Sequence, residues 1–161
     1  MAHQVPQYPK PAYYFVNWFK FNDGAFPTIE FRIYDGVKTM TLAEFCDILG
    51  VQNVGRTDRI NTQPAGLKAL YISLCSGDPK EIRRGKISGI LFPHIRYFAY
   101  YIARGVLARG NTSNISAPDL AILAAALGRD RTYNLGAVIA RHLHSNSEKG
   151  PNYGGIFATY C

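Results

Sequence analysis

The sequence is poor in cysteine, tryptophan and acidic residues. Its 161 residues include three cysteines, one tryptophan and 11 acidic residues against 18 lysines and arginines. The cysteines, Cys46, Cys75 and Cys161, lie far apart without a CxxC pair, which argues against a disulfide framework and indicates a reducing compartment. No apolar run approaches the roughly 18–20 residues of a membrane span, and the first residues lack the pattern of a secretory signal. We therefore expect a cytoplasmic or nuclear protein.

The net charge of +7 is compatible with an acidic partner such as nucleic acid, or simply with a basic soluble protein. Apolar residues make up 47% of the chain and charged residues 18%, which is typical of a globular domain with a core. Residues 1–11 contain Pro6, Pro9 and Pro11 and are expected to form a flexible proline-rich arm. We expect residues 12–161 to form a single helical domain, truncated at its C-terminal end.

Helical patterns dominate the sequence, and the central one runs from Pro93 to Arg109. Proline suits the first position of a helix because its missing N–H would have no partner there. Apolar side chains then recur at helical spacing. They are Ile95, Phe98, Ala99, Ile102 and Val106. Start signals predict three further helices, at Thr41 (with Glu44 in a capping box), Pro64 and Ser116. An apolar stripe predicts another helix from about Asn134 to His144.

The segment Thr28–Met40 predicts a small β-hairpin. Phe31 and Ile33 alternate with polar residues, and Asp35-Gly36 supplies the positive φ angles that a two-residue turn requires. The predicted fold class is therefore mainly α. We expect a single-domain bundle of about five or six helices around the Pro93–Arg109 helix, with this hairpin near the N-terminus.

Reactive constellations are scarce, so the sequence predicts no catalytic residue, no cofactor and no metal site. His142 and His144 are two apart on a predicted helix and point in different directions, which does not suit a shared metal ion. The sequence has neither a G-x-S-x-G nor a G-x-G-x-x-G motif. An enzyme of unfamiliar type would need a pocket that unites His94 with Cys75 or with an acid.

Two groups of side chains are candidates for binding. The first suits phosphate contacts with base stacking, and it comprises Lys80, Arg83, Arg84, Lys86, Arg96, Tyr100 and Arg104. The alternatives are a solvated face paired with acids and, for Arg96, a partly buried guanidinium that donates to loop carbonyls. The second suits protein interaction, with core packing as its alternative, and it comprises Tyr13, Tyr14, Trp18 and Phe19.

Four segments follow one another in an order typical of a known family. They are Phe31–Gly36 with the Thr41–Val51 helix, the segment Ile90–Gly110, the Leu120–Leu127 helix, and Tyr153–Ile156. Together they resemble the Gag-like protein encoded by the first open reading frame of Athila-type plant LTR retrotransposons and, more distantly, the plant mobile domain. The resemblance implies an element-derived protein without a catalytic centre, which works by self-association, nucleic-acid packaging or recruitment of a partner.

The leading hypothesis is therefore a noncatalytic, retrotransposon-derived Gag-like domain that acts in self-assembly or protein–protein interaction. Its expected partner is a second copy of itself or another protein. The alternative is a module that binds RNA or DNA through the basic helical residues. Neither hypothesis predicts a membrane or a small-molecule substrate as a partner.

Overall fold

The computed structural model describes residues 14–15, 17–34, 36–62, 64–75, 85–130 and 132–148. The strands are β1 (Lys20–Asn22), β2 (Thr28–Ile33) and β3 (Gly36–Thr41). The helices are α1 (Leu42–Leu49), α2 (Pro64–Leu74), α3 (Pro93–Tyr101), α4 (Ala117–Ala126) and α5 (Leu135–Ser147). A 3₁₀ turn, Ile87–Gly89, precedes α3, and a π-helical turn, Ile102–Val106, continues it. The predicted arm and the predicted truncated end lie outside the described residues.

The prediction of a mainly α bundle is wrong, because the domain combines its helices with a three-stranded antiparallel sheet in the order β1-β2-β3. The β2–β3 hairpin confirms the predicted one. Its turn lies one residue earlier, since Gly36 pairs with Ile33 as the first residue of β3 and Tyr34 adopts a φ of 55°. The additional strand is β1, which pairs with β2 from Lys20↔Glu30 onward.

The helix starts predicted from capping chemistry are confirmed. The hydroxyl of Thr41 accepts the N–H of Glu44 at the start of α1, and the Glu44 carboxylate accepts the N–H of Thr41 at 2.7 Å. These hydrogen bonds hold the pKa of Glu44 below its usual range. Ser116 and Asp119 form the same reciprocal pair at the start of α4. Each pair satisfies amide groups that the first turn of a helix leaves without a partner.

The central helix begins at Pro93 as predicted, but its regular α-helical part ends at Tyr101. From Ile102 the backbone widens into the π-helical turn, so the predicted continuation to Arg109 as a uniform α-helix is wrong. The ring of Tyr101 lies against Gly105, where a Cβ atom would stand 3.2 Å from it. Such turns accommodate one extra residue and change which side chains share a face.

The domain has two cores that share the last helix. One lies between the sheet, α1 and α5, and the other lies among α2, α3, the π-helical turn, α4 and α5. Helix α5 contributes Ala137, Ala140 and Leu143 to the first core and Val138 to the second. Neither core is therefore complete without the side chains of α5.

Arg56 fixes the long loop between α1 and α2. Its backbone pairs with the α4–α5 connection, accepting the Asn134 N–H at 2.9 Å and donating to the Thr132 carbonyl at 3.0 Å. Its guanidinium lies 4.0 Å from the ring centroid of Tyr133 and 3.0 Å from the carboxylate of Asp130. The loop therefore belongs to the packed domain, although it has no regular secondary structure.

Candidate interaction surface

The described members of the predicted basic group do not form one exposed stripe. Arg96 donates from Nε to the Ile90 carbonyl at 3.1 Å, which is the bracing role considered as an alternative. Tyr100 is half-buried against the helical core, and Lys86 is also half-buried. Arg104 is exposed. The remaining predicted residues, Lys80, Arg83 and Arg84, lie outside the described residues.

The predicted N-terminal aromatic group is divided between core and surface. Phe19 is completely buried in the sheet core, so its packing follows the alternative interpretation. Tyr14 and Trp18 are exposed, and the guanidinium of Arg32 lies 5.1 Å from the Trp18 ring centroid. Tyr13 lies outside the described residues. Phe19 therefore belongs to the core, whereas Tyr14 and Trp18 lie at the surface.

A different set of aromatic side chains forms a continuous exposed face on α3. The set occupies positions i, i+3, i+4 and i+7 of the helix; we call it the α3 face, and it comprises His94, Tyr97, Phe98 and Tyr101. The exposed Arg104 follows in the π-helical turn. Tyr97 is 76% exposed, Tyr101 53% and Phe98 38%. The rings of Phe98 and Tyr101 are stacked, with centroids 6.2 Å apart.

This face was not predicted from the sequence, because α3 carries two apolar stripes. The spacing places Phe98 on one stripe with Ala99, Ile102 and Val106, but 38% of its surface is exposed; the buried stripe consists of Ala99, Ile102, Ala103 and Val106. The signal for the exposed stripe was present in the spacing of His94, Tyr97 and Tyr101. Periodicity locates both stripes but does not say which of them meets the core.

The segment that carries the α3 face has basic residues but no acidic ones. The sequence contains no acidic residue between Glu81 and Asp119. Arg109, just after the π-helical turn, is engaged by the buried carboxylate of Asp119 and by the Asn114 carbonyl. The α3 face is therefore aromatic, and the exposed cation that follows it in the chain is Arg104. Exposed apolar patches on soluble domains commonly mark interaction sites, and aromatic residues and arginine are enriched at interfaces.

A groove of about 380 Å³ lies between α2 and α4, on another part of the surface. We call it the α2/α4 groove. Small residues form half of its lining, and these are Gly66, Ala69, Ser73, Ala121 and Ala124; Asn61, Leu67 and Leu70 also line it. Arg129 and Asp130 lie at its rim. The Ser73 hydroxyl donates to the Leu70 carbonyl at 2.7 Å. Among the described residues that line this groove, none is a histidine or a cysteine.

The described residues contain no cluster of His, Cys, Asp or Glu side chains that would hold a metal ion. His94 lies on the exposed α3 face, whereas Cys75 is half-buried at the end of α2. Burial raises the pKa of the Cys46 thiol, which disfavours the nucleophilic thiolate. Among the helices of the described ranges, none has the length and apolar character to cross a bilayer.

Comparison with known families identifies the chain. The model of the ATHILA ORF-1 family matches residues 16–132, a range that contains the sheet and helices α1 to α4. This match places the chain among retrotransposon-derived, Gag-like proteins, a class that is generally noncatalytic. More specifically, the chain belongs to the ATHILA ORF-1 family, the first-open-reading-frame proteins of Athila-type retrotransposons. No curated protein and no solved structure is significantly similar to it.

Proposed function

We propose that this protein is a noncatalytic Gag-like domain that self-associates through the α3 face. The observation that carries the proposal is the continuous exposure of Tyr97, Phe98 and Tyr101 on one helix. Burying such rings in an interface lowers the free energy, because apolar surface leaves water. Tyrosine contributes both apolar area and a hydroxyl group to an interface. The family's generally noncatalytic character supports an assembly role over a chemical one.

The size of the face predicts weak, concentration-dependent association. A buried aromatic residue removes about 150–250 Å² from water, so the exposed parts of these three rings amount to roughly 300 Å². At about 25 cal/mol per Å² this area is worth about 7 kcal/mol per copy. Association costs about 4–15 kcal/mol in lost freedom of motion. The net free energy of association is therefore small, and we expect assembly to depend on high local concentration.

Removing the rings of the α3 face is expected to abolish self-association. The variant carrying Tyr97→Ser and Tyr101→Ser should elute as a monomer, while the wild type should increase in mass with concentration. Size-exclusion chromatography with light scattering measures this difference. The matched control replaces two exposed aromatic residues elsewhere, Phe26→Ser and Tyr34→Ser, and should associate as the wild type does. A wild type that is monomeric at every concentration would contradict the proposal.

Binding of single-stranded nucleic acid is a second candidate function, favoured by the exposure of Tyr97, Tyr101 and Arg104 on one acid-free segment. Aromatic side chains stack on bases, at about 1–3 kcal/mol per base, and arginine contacts phosphates. We propose that Arg83 and Arg84, which belong to the predicted basic group, also contact phosphates.

We expect labelled single-stranded RNA to bind with an affinity that falls steeply as salt increases. Neutralising Arg104, Arg83 and Arg84 to glutamine should weaken binding and lower the slope of log K against log salt by about 0.7 for each lost phosphate contact. Fluorescence anisotropy measures both quantities. Arg59→Gln, in the α1–α2 loop, serves as the control. Binding that is undetectable or independent of salt would exclude this second function.

A further inference from the structure

We infer that the α3 face of one copy docks into the α2/α4 groove of a second copy, so that the self-association proposed above is head-to-tail. The inference rests on that proposed function and names the surface that receives the aromatic side chains. It joins two features that lie on separate parts of each domain: a projecting row of rings and an open groove of about 380 Å³.

Shape favours the groove over a second α3 face as the receiving surface. Tyr97 projects with 76% of its surface exposed, so a concave surface can cover more of its ring than a second convex helix can. Glycine and alanine provide four of the residues that line the groove. A Cβ atom added at Gly66 would meet no atom within 4 Å. Small side chains on one partner and large rings on the other are the complementary pattern of a well-packed interface.

The polar groups are also complementary. Arg129 at the rim of the groove is an exposed cation, which suits the face of a tyrosine ring. Asp130 offers a carboxylate to Arg104, and 42% of its side chain remains exposed beside Arg56. The Ser73 hydroxyl, which already donates to Leu70, retains lone pairs that can accept a hydrogen bond from a tyrosine hydroxyl. A second α3 face would instead offer no carboxylate to Arg104, because the face carries no acidic residue.

The arrangement has a definite symmetry consequence. Each copy presents one face and one groove, and the two use different residues. Such heterologous contacts generate rings when the rotation between copies closes, and open chains when it does not. The inference therefore predicts that association continues beyond a dimer, whereas pairing of two α3 faces would stop at two copies.

Mixing two deficient variants tests the inference. The face variant carries Tyr97→Ser and Tyr101→Ser and keeps its groove. The groove variant carries Ala69→Trp at an exposed position of α2 and keeps its α3 face. We expect each variant alone to associate at least tenfold more weakly than the wild type. Their mixture should form a one-to-one heterodimer, because the intact face of one fits the intact groove of the other, and sedimentation velocity measures its mass.

The control Ala43→Trp adds the same side chain at an exposed position on α1 and should leave association unchanged. Far-ultraviolet circular dichroism checks the fold, and Ser73→Tyr fills the same groove if Ala69→Trp lowers the melting temperature. If the wild type associates but both groove-filling variants associate equally well, and no heterodimer forms, the inference is wrong while self-association stands. A monomeric wild type would overturn the proposed function itself.

Discussion

Replacing Gly136 by alanine is expected to lower the free energy of unfolding by about 3 kcal/mol. A Cβ atom at this position, in the first turn of α5, would overlap the Sγ atom of Cys46 on α1. Cys46 is completely buried, and the Asn134 side chain and Leu42 also stand close to the added carbon, so neither helix has room to yield. Urea denaturation followed by circular dichroism measures the loss.

Two further variants separate steric overlap from the general effect of alanine. Combining Gly136→Ala with Cys46→Ala removes the overlapping sulfur, and the pair should recover much of the lost stability as a measurable coupling energy. Gly66→Ala is the control, because it places the same methyl group in a helix with no atom within 4 Å. It should raise stability by about 0.5–1 kcal/mol. Ordinary surface substitutions change the free energy of unfolding by up to about 0.5 kcal/mol. If Gly136→Ala changes it by no more than that, the packing described here is wrong.

Replacing Arg109 by alanine is expected to cost about 3–5 kcal/mol of stability. The side chain of Asp119 is completely inaccessible to solvent, and its carboxylate receives the guanidinium of Arg109 and the N–H of Ser116. Without the arginine, the buried carboxylate would have no countercharge. Breaking one half of a buried ion pair costs more than the pair itself contributes, because the remaining charge stays desolvated.

Thermal and urea unfolding of three proteins test this prediction. Arg104→Ala removes an exposed arginine nearby and should change stability by less than about 0.5 kcal/mol. Arg109→Met combined with Asp119→Asn removes both charges while keeping a side chain that can cap α4, and it should recover part of the loss. If Arg109→Ala lowers the free energy of unfolding as little as Arg104→Ala does, the ion pair does not contribute to stability.

Features decided by local chemistry were predictable from the sequence. The capping boxes that begin with Thr41 and Ser116 depend on side chains three residues apart, and both helices begin where these residues indicate. Pro64 and Pro93 mark the starts of α2 and α3 for an equally local reason. The β2–β3 hairpin also follows from alternation within one short segment.

Features decided by distant neighbours were not predictable. The aromatic-rich segment before Asn22 fits both a helical and an alternating pattern, and only its pairing with β2 makes part of it a strand. Phe98 belongs to the exposed stripe because the smaller Ala99 and Ala103 face the core. The ion pair between Arg109 and the buried Asp119 forms because of the turn that follows the π-helical segment. No residue spacing in the sequence predicts that turn.

The position of α5 in both cores also determines when the protein can fold during its synthesis. The hydroxyl of Ser147 binds the Phe19 carbonyl across 128 positions of sequence, and Arg141 binds Asp23 across 118. Contacts at such separations slow folding, because a long loop must close before they form. The ribosome releases the sheet and four helices before α5, so on the nascent chain the first core lacks the side that α5 covers. Exposed apolar surface of this kind makes an incomplete chain prone to aggregation until α5 emerges.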